Sequence, residues 1–190
     1  MKTLIYSMAF SLLFLAACSN GSNKTETAAT SEATSTKSAV TESSEKGTST
    51  AALLSSYLKL KNAFTNDNDK DAAAAGNEMV AGFASFDKKS LTPEQSKAYT
   101  DIQDDAKEHA EHIGANTGNI AHQREHFDML SKDMYDLVKL LGTNQPLYVD
   151  HCPMYNNNKG AIWLSEVKDI KNPYLGKAMP TCGTVKEELK

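Results

Sequence analysis

Three absences bound what this chain does. Basic residues are not in excess: the formal net charge is −4 at pH 7, and no basic stripe is present to neutralise phosphates, which argues against nucleic acid as a partner. No glycine-rich phosphate loop, Gly-x-Ser-x-Gly elbow or Cys-x-x-Cys-His haem motif occurs. Nor does a nucleophile with an evident base, or a carboxylate pair on an apolar background, stand out, so the chain is not expected to be an enzyme. Cysteine is scarce as well. Of three cysteines in 190 residues, one lies near the N-terminus and two fall in the last forty positions.

The N-terminus carries an apolar run, but a short one. Lys2 supplies a charged start, Leu4 through Phe14 are largely apolar, and the stretch closes on Leu15-Ala16-Ala17-Cys18. This run falls below the roughly 18 to 20 residues that span a bilayer. It reads as a lipoprotein signal peptide, 1–17, cleaved before Cys18, whose amine and thiol would then take the lipid. Ser19 and Asn20 follow, with no aspartate to favour inner-membrane retention. The expected location is therefore the outer membrane, facing the periplasm, with the lipid on Cys18 making the membrane contact.

From 18 to 50 the chain is mostly Ser, Thr, Ala, Glu, Lys and Gly with almost no large apolar residue. Such a segment cannot bury enough surface to offset its ordering entropy, and it reads as a disordered tether. The folded part, 51–190, has the size of one domain.

Within it, apolar spacing predicts four helices. The first, about 51–65, aligns Leu54, Tyr57, Leu58, Lys61 and Phe64; the second, about 70–86, aligns Ala72, Ala75, Met79, Phe83 and Phe86. The third opens on Thr92-Pro93 with Gln95 three residues after the cap, and breaks near Gly114. Its apolar line is Tyr99, Ile102, Ala106, His109 and Ile113. A cap at Asn119 opens the fourth, with Ile120, Gln123, Phe127, Leu130, Met134, Leu137 and Leu141 in line and Gly142 closing it. Short connections predict antiparallel neighbours. The expected fold class is all-α: an up-and-down four-helix bundle with an irregular C-terminal tail. Leu147-Tyr148-Val149, the Asn156–Gly160 turn signal and Ile162-Trp163-Leu164 would allow a short β-hairpin or a packed loop there. Trp163 and Tyr174 are the expected anchors of the tail on the helices.

Soft donors gather in that tail. His151-Cys152-Pro153-Met154 and Met179-Pro180-Thr181-Cys182-Gly183 contain both remaining cysteines and two of the seven methionines. Thiolate, thioether and imidazole together favour copper, especially Cu(I), over metals that want oxygen donors. The expected ligands are Cys152, Met154, Met179 and Cys182, with His151 or His109 completing the shell. His109 lies on the apolar line of the third helix, where an imidazole is either a hydrogen-bonded core residue or a ligand; His112 and His126 carry the same two readings, while His122 reads as solvent-facing. An oxidising compartment equally favours a Cys152–Cys182 disulfide. Closing that loop would contribute roughly 3 to 4.7 kcal/mol. Zinc is a further alternative, and the copper and disulfide readings can coexist as reduced and oxidised forms.

The run Tyr148-Val149-Asp150-His151-Cys152-Pro153-Met154, with Gly160 through Ser165, Ile170, Asn172-Pro173-Tyr174 and Met179-x-x-Cys182-Gly183, resembles an uncharacterised bacterial domain. That domain occurs in Gram-negative lipoproteins and appended to the periplasmic membrane-fusion subunits of copper and silver efflux pumps. Gln123-Arg124-x-x-Phe127 with Leu130-Ser131 is similar to its last helix. The resemblance runs from about Leu53 to Gly183, with Pro180 departing from it where a larger apolar residue is expected. It implies a helical, non-catalytic periplasmic domain linked to copper handling, with a copper or silver efflux system as partner.

Overall fold

The computed structural model describes residues 42–190, with side chains from Thr50 onward. The expected signal peptide 1–17, the expected lipidation residue Cys18 and the expected tether as far as residue 41 lie outside the described residues. Four helices make the main body: α1 (Glu42–Thr65), α2 (Asp69–Ala84), α3 (Pro93–Ala115) and α4 (Ile120–Leu141). Among the described residues no helix is long and apolar enough to cross a membrane.

The helix boundaries follow from local chemistry. Asn68 caps α2 by accepting from the Asp71 backbone N–H. Thr92 and Gln95 form a reciprocal capping box at the start of α3, with Pro93 in its first turn. Asn119 caps α4, and Gly142 ends it at a φ of 82°, donating its N–H to the Val138 carbonyl. Each satisfies backbone groups that a helix end leaves unpaired. The start of α1 differs most from expectation, at Glu42 rather than near Ala51, and α2 stops at Ala84 rather than near Phe86.

The expected apolar lines face inward. Leu54, Tyr57, Lys61 and Phe64 of α1, Met79 and Phe83 of α2, Tyr99 and Ala106 of α3, and Phe127, Leu130, Met134 and Leu137 of α4 are all buried. Helices adjacent in sequence pack against one another.

The all-α expectation is corrected in the tail. Strands β1 (Leu147–Cys152), β2 (Ala161–Ser165) and β3 (Thr184–Leu189) form an antiparallel sheet in the order β2-β1-β3. The chain is therefore not purely α, and the tail is less irregular than expected. β1 and β2 are the hairpin allowed by the sequence, in register from Tyr148↔Ser165 to Cys152↔Ala161. Their connection passes through Asn156, Asn157 and Asn158 at positive φ, a conformation that asparagine tolerates better than most residues. β3 is a strand the sequence pattern did not reveal, because Thr-Val-Lys-Glu-Glu-Leu offers almost no apolar face and only Leu189 is buried. Backbone pairing with β1 holds it, with polar contacts to α4 in addition. Glu187 of β3 accepts from the Tyr135 hydroxyl at 2.9 Å and pairs with Lys139 at 2.8 Å, both on α4.

The sheet joins the helices through buried contacts. Trp163 and Tyr174 are buried as expected, and the Tyr174 hydroxyl donates to the Ile162 carbonyl. The buried hydroxyl of Tyr57 on α1 lies 2.8 Å from Ser131 Oγ on α4 and accepts the Leu164 backbone N–H of β2 at 3.0 Å. One side chain thus links two helices to the sheet. Tyr57→Phe keeps the ring but leaves a buried N–H unpaired. It is expected to lower stability by about 1–3 kcal/mol, read as a lower denaturant midpoint with an unchanged slope; an unchanged midpoint would contradict this role.

Candidate metal centre

β1 ends at Cys152, and the loop that leads into β3 carries Cys182. Antiparallel pairing of β1 with β3, which sets His151 opposite Thr184, brings these two sequence-distant residues together. Their sulfurs lie 3.3 Å apart and both are free thiols. Cys152 is fully buried, whereas Cys182 is partly accessible. Gly183 permits the approach: its φ is 151°, and a Cβ there would lie 2.9 Å from the Trp163 ring and 3.1 Å from the His151 carbonyl.

Asn172, also fully buried, shapes the loop between β2 and β3. Its amide nitrogen donates to the Cys182 carbonyl at 2.6 Å. Its amide oxygen accepts the backbone N–H groups of Tyr174 at 2.8 Å and Leu175 at 2.9 Å. Its own backbone N–H reaches the Pro180 carbonyl at 2.8 Å. The sequence presented this residue as part of a turn, without hinting at a role in the site.

The two thiols are electrostatically unequal. Burial raises the Cys152 thiol, but hydrogen bonds from Cys182, the Met154 backbone, the Asn172 amide and the Tyr155 backbone outweigh it and lower its pKa. Cys182, as donor to Cys152, is pushed the other way. Of the two, Cys152 is thus the sulfur that gives up its proton more readily. Thiolate is the form that binds metal and attacks disulfides.

The other expected ligands are placed differently. Met154 and Met179 are solvent-exposed, at 48% and 40%. His151 on β1 is partly buried, with its Nε2 against Gly160, where a Cβ would come within 2.4 Å. His109 is brought to another set of histidines, its Nδ1 3.3 Å from Nδ1 of His126.

That second set sits between α3 and α4. Among the described residues, His112, His122 and His126 are the group of His, Cys, Asp or Glu side chains whose ligand atoms all lie within 4.8 Å of one another. The rings of His112 and His126 stack with centroids 4.3 Å apart, and His122 meets His126 edge-on at 4.7 Å. Burial, and the facing His112, His122 and His109, push His126 down to about 4, with Glu125 pulling weakly back. Burial is also the main reason that His109 is lowered. His122 was expected to face solvent; it is only partly exposed and belongs to this cluster, as its i,i+4 spacing from His126 permits.

A family model, described as Protein of unknown function (DUF3347), matches residues 53–146. The match takes in most of α1 and all of α2, α3 and α4, and ends just before β1. The histidine cluster lies within it; the cysteine pair lies beyond it. No curated protein and no solved structure matches the chain.

Beside the cysteine pair on β1, Asp150 is a buried carboxylate facing Trp163 across the β1–β2 register. Neither of its oxygens has a well-formed hydrogen bond. Burial raises its pKa to about 7, against the pull of Lys61 and the Trp163 indole. Lys61, fully buried on α1, is held 2.7 Å from Glu166. Between the ordinary carboxyl range near pH 4 and about pH 7, folded Asp150 retains a proton that the unfolded chain has released, so its contribution to stability declines as pH rises. Asp150→Asn should remove that decline. Denaturant midpoints of the two proteins should diverge in favour of the variant from about pH 4 to about pH 7 and run parallel above. The opposite drift caused by His126 is common to both proteins and drops out of the comparison. A constant gap across the range would contradict the assignment.

Proposed function

We propose that this chain is a periplasm-facing lipoprotein, anchored through Cys18 to the outer membrane, that binds Cu(I) through Cys152 and Cys182 as an accessory to metal handling or efflux. The observation that carries this reading is the thiol pair at 3.3 Å with one sulfur held toward the thiolate form. Soft thiolates select Cu(I) over harder ions. Met154 and Met179, two and three residues from the cysteines and exposed, are free to swing their thioethers onto a metal seated at the pair, and His151 is the adjacent imidazole. In this reading the helices, in up-and-down order, are a non-catalytic scaffold, and a copper or silver efflux system is the partner suggested by the sequence resemblance.

The same sulfur distance supports a second reading, a structural or interaction module fastened by a Cys152–Cys182 disulfide. Closing that bond would release two protons and pass two electrons to an envelope oxidant, and it would remove both thiolate ligands. Reduction state would then gate metal binding.

Titration of the reduced chain with Cu(I) against a competing chelator tests the proposal. One equivalent should bind per chain, at least about tenfold more weakly after Cys152→Ser, a loss of about 1.4 kcal/mol or more. Met154→Leu combined with Met179→Leu should weaken binding less. Affinity indifferent to Cys152→Ser would refute the copper reading. A thiol count of zero on untreated protein, with a melting temperature that copper leaves unchanged, would establish the disulfide module in its place.

A further inference from the structure

We infer that His112, His122 and His126 form a second metal site, chemically distinct from the cysteine pair and suited to a borderline divalent ion of the zinc or copper(II) kind. Imidazole is the donor these ions share, whereas the thiol pair favours softer Cu(I). The two sites lie on different elements. One is built on the sheet and its loop, the other on helices α3 and α4.

The geometry supports this placement. His122 and His126 are one turn apart on α4, so their relative position is fixed by the helix itself. His112 approaches from the last turns of α3. In tetrahedral zinc sites Zn–N is about 2.0–2.1 Å, which puts ligand nitrogens roughly 3.4 Å apart. Ligand atoms already within 4.8 Å of one another need only side-chain rotation to reach that spacing. The stacked ring of His112, interplanar angle 3° to His126, must turn, and its exposure leaves it room to do so. His109, 3.3 Å from His126 through its Nδ1, is placed to supply a fourth nitrogen.

Carboxylates stand where outer partners of metal-bound imidazoles are found. Glu125 lies 3.1 Å from His122 Nδ1, and Glu108 lies 3.9 Å from His112 Nε2. A carboxylate within hydrogen-bond reach, as Glu125 is and Glu108 is not, orients the ring and raises the basicity of its other nitrogen. A purely structural set of four histidines would leave unexplained why they converge across two helices with only one imidazole–imidazole hydrogen bond among them.

The test uses the full chain carrying Cys152→Ser and Cys182→Ser, so that failure here and failure of the Cu(I) reading remain separate results. Calorimetric titration with Zn²⁺ should show one saturable site. His122→Gln and His126→Gln, each added to that background, should weaken it at least about tenfold. Histidine-ring NMR on the wild-type chain gives a parallel readout in case the serine variant folds poorly: Zn²⁺ should shift the ring nitrogens of His112, His122 and His126 together. No saturable uptake, equal affinity in the glutamine variants, or Zn²⁺-induced shifts confined to other histidines would overturn the site.

Discussion

The arrangement of the tail depends on a single buried amide. Asn172 engages the Cys182 carbonyl, the Tyr174 and Leu175 backbone N–H groups and, through its own backbone N–H, the Pro180 carbonyl. A loop buried against a core must pair its backbone polar groups, and an unpaired one costs about as much as a lost hydrogen bond. Asn172 meets that requirement for the segment between β2 and β3 while presenting an N–H to the Cys152 sulfur. Its conformational role and its electrostatic role are therefore inseparable. The turn that brings Cys182 to Cys152 is the same turn that lowers the Cys152 pKa.

That turn has to be held against the helices, and the means are polar at least as much as apolar. Arg124 of α4 donates to the Pro173 carbonyl, to the Phe64 carbonyl near the end of α1 and to Asp67. Asp67 in turn accepts the Lys177 backbone N–H. The guanidinium, with its fork of fixed donors, thus spans α4, the α1–α2 connection and the tail loop at once. Tyr57 repeats the device deeper in the core, between α1, α4 and β2. Removing the tail would therefore leave polar groups of the helices without partners. The matched family region ends before β1, yet the helices within it are built to receive a tail.

The helices were legible in the sequence because their boundaries rest on local chemistry: Thr92-Pro93 with Gln95, Asn119, and Gly142 act within a few residues. The apolar lines were legible for the same reason, down to Lys61, which falls on the buried face of α1 and is held there by Glu166. β3 was not. Its place in the sheet comes from the Glu187 contacts to Tyr135 and Lys139 and from pairing with β1, interactions between residues far apart in sequence. The cysteine pairing was visible as clustering, but the placements of Asn172 against Cys182 and of His122 against His112 were not, since each depends on what the fold sets against it. Separation of the histidines from the thiols follows likewise from topology: His109 shares its helix line with the core, yet its neighbours are the imidazoles of α3 and α4.

Two donor sets of different softness in one small domain would let it distinguish oxidation states of one metal, or two metals, without competition for ligands. The thiol set carries the larger claim, since it rests on a Cys152 pKa lowered by hydrogen bonds from Cys182, the Met154 backbone and Asn172. The most direct measurement is the ultraviolet thiolate absorbance of the reduced protein as a function of pH, compared with Asn172→Ala. One cysteine should ionise below the ordinary range and shift back toward it in the variant. Two cysteines that both ionise in the ordinary range, unchanged by the substitution, would contradict it.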